Sequence, residues 1–342
     1  MTRYIIIGAG AVGGGIGGRL ATAGIATVLV ARGEHLAALQ RTGLRLRSPD
    51  DDVAVPVTAV GGPGELELTD DDVLVVTTKT HQAPAVLAEW ADAPVVSADH
   101  ESRAGTAGER LPVLMALNGV ASEEMALRYF RRVFGVCVWM PAVHLEPGEV
   151  IVRAAPVAGV FHVGRVPATA TEPGDHALLG RLQDDWGAGG LTVALPADVM
   201  PWKYRKLISN IANAIQALVG SNGDIDPVVA AAQTEARQVL DGAGIAYTSD
   251  EEEQATRADG PHVRPVAGEP AELGGSTWQS LTRATGNVES DYLNGEIARL
   301  AHRHQLDAPI NSAVASLARR AAAAGQRPGA VSAEQLAESL GL

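Results

Sequence analysis

Near the start of the chain lies Tyr4-Ile5-Ile6-Ile7-Gly8-Ala9-Gly10-Ala11-Val12-Gly13, and this segment indicates the class of fold. Its first four residues form a continuous apolar run rich in β-branched side chains, which is typical of a strand buried in a parallel sheet. The glycines that follow have G-x-G-x-x-G spacing, and a small-residue segment to about Ala23 has a helical pattern. A glycine-rich turn between a strand and a helix predicts a dinucleotide-binding βαβ unit.

The glycine-rich turn has the features needed to bind a pyrophosphate. Gly8 permits the tight turn, Gly10 lets the pyrophosphate approach the backbone, and Gly13 allows the helix to pack closely on the strand. The start of the helix then offers unpaired backbone N–H groups to the phosphates. We therefore predict that the whole turn binds the cofactor: Gly8, Ala9, Gly10, Ala11, Val12 and Gly13.

The end of the second strand indicates which dinucleotide is bound. The segment Thr27–Ala31 has the pattern of a strand, and Arg32 follows it directly. An NAD site would place Asp or Glu near this position to bind the ribose hydroxyls, whereas an arginine can bind a 2′-phosphate. We predict NADP(H) rather than NAD(H). The alternative is that Arg32 is only a solvated loop residue.

Strands alternate with helical segments in the first part of the chain, and helical segments alone make up the second part. Val73–Thr77 and Val113–Leu117 are further predicted strands, and residues 133–166 have the pattern of a hairpin-like extension of the sheet. Alternation of this kind predicts βαβ units and a parallel sheet. The expected fold class is α/β, with an N-terminal Rossmann-type doubly wound sheet followed by an all-helical C-terminal domain.

We place the boundary between the two predicted domains near Pro196–Pro201, where the pattern becomes helical. Residues 1–198 are the predicted NADP-binding domain, and residues 199–342 are the predicted helical domain for substrate binding and dimerisation.

Composition excludes several classes of protein. The net charge of −13 argues against nucleic acid or an anionic membrane surface as a partner, because both require a basic surface. A single cysteine, Cys137, excludes an internal disulfide framework and a cysteine-based metal site. No apolar run reaches the roughly 18–20 residues of a membrane span, and a strand begins at Tyr4, where a signal peptide would lie. We expect a cytoplasmic protein with no metal.

One predicted helix, Trp202–Val219, carries a line of polar side chains. Lys206, Asn210 and Asn213 lie at i, i+4 and i+7, so they share one face of this helix. A lysine can have its pKa lowered by burial and then serve as a proton donor, which an arginine cannot do near neutral pH. Lys203 lies one turn earlier on the same face and is a rival for any role given to Lys206. A solvated helix face is the alternative.

Two polar side chains follow predicted strands directly. Lys79 comes after Val73–Thr77, and Asn118 comes after Val113–Leu117. Ligands of open α/β sheets bind at the carboxyl ends of the strands, so both residues are candidates for the site.

Five segments of the chain also resemble a known family. They are Gly8–Gly13 with Arg32; Thr77-Thr78-Lys79; Leu117-Asn118-Gly119; Lys206-Leu207-Ile208-Ser209-Asn210; and Ser276-Thr277-Trp278-Gln279 followed by Glu289-Ser290-Asp291-Tyr292-Leu293-Asn294-Gly295. In this order they resemble the ketopantoate reductases (2-dehydropantoate 2-reductases). The resemblance covers nearly the whole chain and implies NADPH-dependent reduction of 2-dehydropantoate to pantoate in pantothenate biosynthesis.

The resemblance also implies roles for individual residues. Lys206 matches the general acid, and Glu289 matches an acidic group beside this lysine and the nicotinamide ribose. Ser276 matches the residue that binds the substrate carboxylate. The remaining matches are Asn210 as a substrate-binding amide, Asn222 as a looser substrate contact, and Lys79 and Asn118 between cofactor and substrate. Asn213, on the same helix face as Asn210, is a further predicted substrate-binding amide, although the second helix asparagine of the family falls at Ala214.

Other functions remain open at this point. The same scaffold can reduce a different 2-keto acid, such as another branched one. A non-catalytic NADP-binding redox sensor would instead bind NADPH without turnover. A homodimer formed through the helical domain is a further expectation.

Overall fold

The computed structural model describes residues 1–96, 105–170, 172–258, 260–269, 274–283 and 286–342. These residues form two compact units. The first falls within Met1–Leu117, Ala121–Val199 and Asp250–Ala271, and the second within Asn118–Val120, Met200–Ser249 and Glu272–Leu342. The assignment of cofactor binding to residues 1–198, and of substrate binding and dimerisation to residues 199–342, stays a prediction.

The described strands and helices follow in chain order. The strands are β1 Arg3–Ile7, β2 Thr27–Val30, β3 Leu44–Arg47, β4 Asp52–Val55, β5 Thr58–Val60, β6 Leu68–Thr69, β7 Asp72–Val76, β8 Pro94–Val96, β9 Gly105–Thr106, β10 Pro112–Met115, β11 Arg132–Trp139, β12 Ala142–Val143, β13 Glu149–Val152, β14 Gly159–Val166 and β15 Leu191–Ala194. The α-helices are α1 Ala11–Thr22, α2 Gly33–Thr42, α3 Ala83–Ala91, α4 Ala107–Arg110, α5 Ser122–Ala126, α6 Asp175–Ala188, α7 Met200–Asn210, α8 Ala212–Val219, α9 Asp226–Gly242, α10 Asp250–Ala258, α11 Ser276–Thr282, α12 Asn294–His304, α13 Pro309–Ala323 and α14 Ala333–Leu340. Short 3₁₀ helices span Pro63–Glu65, Thr80–Gln82 and Glu289–Tyr292.

The main sheet of the first unit has the strand order β15-β14-β11-β10-β7-β1-β2-β5. Strand β1 pairs in parallel with β2 and β7, and its apolar run Tyr4–Ile7 is buried, as a central parallel strand requires. Strand β14 pairs antiparallel with β11. The predicted α/β fold class, the strand–turn–helix start and the hairpin-like extension at residues 133–166 are therefore confirmed.

Two smaller sheets complete the first unit, with strand orders β12-β13-β3-β4 and β6-β8-β9. Helix α10 and residues 260–269 also belong to this unit. The Arg257 guanidinium lies 4.4 Å from the centre of the Trp139 ring, and the Ala155 N–H donates to His262 O at 3.2 Å. Part of the C-terminal half therefore returns to the first unit, which the helical pattern of that half did not predict.

The second unit is helical, with α7, α8, α9 and α11 to α14 packed around a buried apolar core. The predicted single helix Trp202–Val219 is wrong in one respect, because α7 ends at Asn210 and α8 begins at Ala212. Between them, the Ile211 carbonyl accepts a hydrogen bond from the buried Asn294 amide at 3.4 Å. A side chain inserted at a helix carbonyl is a common cause of such an interruption. Helices that could cross a membrane are absent from the described part of the chain.

His162 on β14 makes the stability of the first unit depend on pH. Its side chain is buried, and burial lowers the pKa of His162 from 6.5 to about 4. The unfolded chain then binds more protons than the folded chain between these two values, so stability is complete above pH 6.5 and falls toward pH 4. We expect about 2 kcal/mol to be lost between pH 7 and pH 5.

Chemical denaturation at several pH values checks this expectation. His162→Gln should flatten the dependence, whereas the matched control His176→Gln, at an exposed position on α6, should keep it. An unchanged slope in His162→Gln would assign the pH dependence to other groups.

Candidate active site

The glycine-rich turn of the first unit is held against the strand next to β1. Gly8 has φ +107°, a backbone conformation that favours glycine, and the Thr77 hydroxyl donates to the Gly8 carbonyl at 2.8 Å. A Cβ added at Gly13 would lie 2.3 Å from Gly8 O and 2.3 Å from Thr77 Oγ1. Both positions therefore require glycine for steric reasons within the protein itself.

Gly10 is different, because a Cβ added there would meet no protein atom within 4 Å. Helix α1 begins at the next residue, and the Gly10 cap has no side-chain hydrogen bond to the helix N-terminus. Open space in front of a 12-residue helix with uncapped N–H groups is what a bound pyrophosphate needs. This turn therefore fits the phosphates of a dinucleotide.

His35, on α2, supports the same turn and was not singled out in the sequence. The Gly148 N–H donates to His35 Nδ1 at 2.9 Å, so Nε2 carries the hydrogen and donates to Ala9 O at 2.7 Å. Burial, followed by the neighbouring His144, lowers the pKa of His35, and the neutral ring is the form that makes both hydrogen bonds. Sequence gave no signal for this role, because His35 is an isolated histidine in a helix.

The structure places Arg32 and Lys79 after two strands of the main sheet. Arg32 follows β2 and is exposed, and its guanidinium lies 3.0 Å from the Glu89 carboxylate on α3. Lys79 follows β7, is half-buried, and precedes the 3₁₀ helix Thr80–Gln82. Their predicted contacts with a cofactor remain predictions.

In the second unit, two predicted substrate-binding amides meet. Asn210 Nδ2 donates to Asn118 Oδ1 at 3.1 Å, and Asn210 is buried at the end of α7. Lys206 lies one helical turn before Asn210 and is half-buried. Its rival Lys203 is only 2% exposed. Lys206 thus shares a helix with Asn210, one member of this hydrogen-bonded pair, while Lys203 is more deeply buried.

A second polar pair involves Ser276 and Glu289. The Ser276 hydroxyl, at the start of α11, donates to Glu289 Oε2 at 2.9 Å, and Glu289 is buried. The neighbouring Gly275 N–H donates to Gln216 Oε1 at 3.2 Å, and a Cβ at Gly275 would lie 2.8 Å from Asn213 Oδ1. Helix α8 therefore brings Asn213 beside the start of α11, where Ser276 and Glu289 meet.

Asn222 lies in a different environment. Its side-chain amide donates to Gly329 O at 2.7 Å, and its carbonyl accepts from the Ala333 N–H at 3.0 Å. These bonds join the turn after α8 to the start of α14. Across the described ranges, Asn222 has no hydrogen bond to the other predicted site residues, and its role toward substrate stays a prediction.

A buried polar network behind these residues was also missed by the sequence analysis. Asn294 donates to Asn311 Oδ1 at 3.0 Å, and Asn311 donates to Glu235 Oε1 at 2.9 Å. Glu235 also accepts the backbone N–H groups of Ile310 and Asn311 at the start of α13. The Asn294 amide reaches Ile211, so this network fixes the chain where α7 meets α8. The one signal in the sequence was Asn294, which lies within the family-like segment Glu289–Gly295.

The chemistry of these side chains suits an organic substrate. Within the described ranges, no group of three or more His, Cys, Asp or Glu side chains could hold a metal ion. The predicted site residues of the second unit supply one ammonium group, that of Lys206, together with several amides, one hydroxyl and one carboxylate. These groups can bind carboxylate and hydroxyl oxygens and can supply a proton.

Comparison with known proteins shows the family of the chain. The family model described as "Ketopantoate reductase PanE/ApbA" matches residues 4–167, and the one described as "Ketopantoate reductase PanE/ApbA C terminal" matches residues 198–322. The chain is 25% identical over 314 residues to the 2-dehydropantoate 2-reductase of Pyrococcus horikoshii, which covers 90% of this chain and 94% of that protein.

Two solved structures show the same fold. One is a PanE/ApbA family ketopantoate reductase from Ralstonia eutropha, with a TM-score of 0.74 and 23% identity, covering 95% of this chain and 99% of that one. The other is D-mandelate dehydrogenase with NADH and anilino(oxo)acetate, with a TM-score of 0.73 and 19% identity over the same shares of the two chains. The two family models, which match residues 4–167 and 198–322, show that the chain belongs to the ketopantoate reductase family, and with the named relative they indicate a 2-dehydropantoate 2-reductase-like oxidoreductase.

Proposed function

We propose that this chain reduces a 2-keto acid to a 2-hydroxy acid with NADPH, and that the substrate is 2-dehydropantoate, the precursor of pantoate in pantothenate biosynthesis. The observation that carries the proposal is the Asn210–Asn118 hydrogen bond one turn beyond Lys206. This bond orders two amides, and one of them, Asn210, lies one helical turn beyond Lys206, which the family pattern matches to a proton donor. The name of the Pyrococcus horikoshii relative supports the choice of substrate.

The proposed proton donor is Lys206. When bound, NADPH supplies the hydride that reaches C2 of the keto acid. Negative charge then develops on the carbonyl oxygen, and the Lys206 ammonium stabilises this charge by hydrogen bonding and transfers a proton from Nζ to the oxygen. Asn210 and Asn118 hold the substrate oxygens without adding a charge of their own.

Ser276 and Glu289 have separate proposed roles. The Ser276 hydroxyl, which donates to Glu289 in the structure, turns its hydrogen toward the substrate carboxylate. Glu289 holds Lys206 in place and contacts the nicotinamide ribose.

A second candidate substrate is another 2-keto acid. The D-mandelate dehydrogenase structure holds anilino(oxo)acetate on the same fold, so an aromatic or differently branched acid is a specific rival. A panel of 2-keto acids, assayed by NADPH oxidation, tests both candidates. The highest kcat/KM for 2-dehydropantoate would support the proposal, and a higher value for another acid would replace it. NADPH binding with no turnover on any acid would favour the non-catalytic sensor.

Arg32→Ala tests the proposed preference for NADPH. The change removes the cation expected to bind the 2′-phosphate, so we expect NADPH affinity to fall about ten-fold while NADH affinity stays within two-fold. Fluorescence titration with both cofactors measures this. Equal affinities of the wild type for NADPH and NADH would contradict the preference.

Assembly and location complete the proposal. We propose a cytoplasmic homodimer formed through the helical domain. Sedimentation equilibrium of the full chain measures the assembly, and a monomer at micromolar concentration would contradict it.

A further inference from the structure

We propose that Glu89 is a specificity-determining residue that restrains the preference for NADPH over NADH. This inference rests on the proposed use of NADP(H) and assigns a role to a residue that neither the sequence pattern nor the family resemblance singled out. The residue lies on α3, 57 positions after Arg32 in the chain.

The carboxylate of Glu89 reaches the ends of two neighbouring strands of the main sheet. Glu89 Oε2 accepts from the Arg32 guanidinium, which follows β2, at 3.0 Å. The other carboxylate oxygen would lie 3.1 Å from a Cβ at Gly62, which follows β5. Glu89 therefore occupies the edge of the sheet where Arg32 is expected to meet the 2′-phosphate.

A second carboxylate lies at the same edge. Glu65 Oε1 accepts the Gly61 N–H at 3.0 Å, directly before Gly62. The carboxylates of Glu89 and Glu65 therefore lie at the neighbouring residues Gly62 and Gly61 after β5, and the first of them pairs with Arg32. Glu89 on α3 is thus a carboxylate that a ribose hydroxyl could use as a partner at this edge.

This arrangement treats the two cofactors differently. To pair with Arg32, a 2′-phosphate must displace the carboxylate of Glu89 and then remain close to two carboxylates. Phosphate and carboxylates repel one another, because salt screens charges only beyond roughly 8–10 Å. NADH carries no 2′-phosphate, and its ribose hydroxyl can donate to Glu89. Glu89 therefore weakens NADPH binding and has little effect on NADH binding, or strengthens it.

Glu89→Gln removes the charge and keeps the shape of the side chain. We expect the Kd for NADPH to fall about five-fold, in keeping with the modest effect of exposed charge pairs, while the Kd for NADH stays the same or rises. The effect on NADPH should shrink in 1 M NaCl, where charges are screened beyond about 3 Å. Asp184→Asn, at an exposed position on α6, is the matched control for the change in net charge and should leave both Kd values as they are in the wild type.

Titration of all variants with NADPH and NADH separates this inference from the proposed function. A wild type that prefers NADPH, with the same ratio of affinities in Glu89→Gln, would overturn the role of Glu89 and leave the proposed function intact. A different result is a wild type that binds NADPH and NADH equally, while Glu89→Gln prefers NADPH and the double variant Arg32→Ala/Glu89→Gln does not. That result would support the role of Glu89 and contradict the proposed NADPH preference. An equal effect of Asp184→Asn would also overturn the inference, because net charge alone would then explain the change.

Discussion

Lys206→Ala is expected to lower kcat by about 10²–10⁴-fold, which is the usual contribution of a positioned general acid. NADPH binding should persist, because the glycine-rich turn and Arg32 belong to the first unit and Lys206 to the second. Single-turnover oxidation of NADPH measures the loss of chemistry, and fluorescence titration measures retained binding. The pH dependence of kcat is a further readout. Its alkaline limb, which reports loss of the proton from the donor, should disappear in the variant, and a structural defect would not produce that change.

Lys203→Met and Lys206→Met form a matched pair for this experiment, because methionine keeps much of the length of lysine and removes the charge. Lys203 is buried, so its variant is expected to lose thermal stability. If kcat falls by orders of magnitude only in Lys203→Met while that variant still melts cooperatively, the proton donor is Lys203 and the assignment to Lys206 is wrong.

Gly13→Ala is expected to destabilise the first unit strongly. The added methyl group would meet the Gly8 carbonyl, which belongs to the backbone and cannot rotate away. We expect a cost of about 3 kcal/mol from overpacking, offset by the ~1 kcal/mol that alanine gains over glycine in a helix. The midpoint of thermal unfolding should fall by roughly 4–8 °C.

Gly10→Ala is the matched variant in the same turn and should behave in the opposite way. Its methyl group meets no protein atom, and the backbone at Gly10 is extended, so the stability of the unbound protein should not change. The same methyl group would stand where the pyrophosphate approaches, and we expect the Kd for NADPH to rise at least ten-fold. Wild-type affinity in Gly10→Ala would show that this turn does not bind the phosphates.

Local patterns predicted the parts of the structure that depend on neighbouring residues. The apolar run at Tyr4–Ile7 became β1, and the glycine spacing correctly placed the turn and the start of α1. The pairs Asn118–Asn210 and Ser276–Glu289 join residues far apart in the chain. Family resemblance named these residues, but the sequence could not show that they touch.

The features that the sequence did not predict share a physical cause. Each depends on a contact between segments far apart in the chain, and such contacts leave no periodic pattern in the sequence. Glu89 reaches Arg32 from another helix, and His35 bonds to Gly148 across 113 positions. The local helical pattern did not predict the break at Ile211. The side chain that bonds to the Ile211 carbonyl there belongs to Asn294, on α12. Helical periodicity cannot reveal a partner that comes from elsewhere in the fold.

The return of residues 250–269 to the first unit has a consequence for the order of folding during synthesis. Domains usually fold as units while the chain emerges from the ribosome. Here the strands of the main sheet are complete once β15 has been made, but the contact of Trp139 with Arg257 forms only after most of α7 to α10 has been translated. The last segment of the first unit is therefore made only after residues 200–249, about two-fifths of the second unit, have been synthesised. No single cut in the chain separates the two units into contiguous pieces.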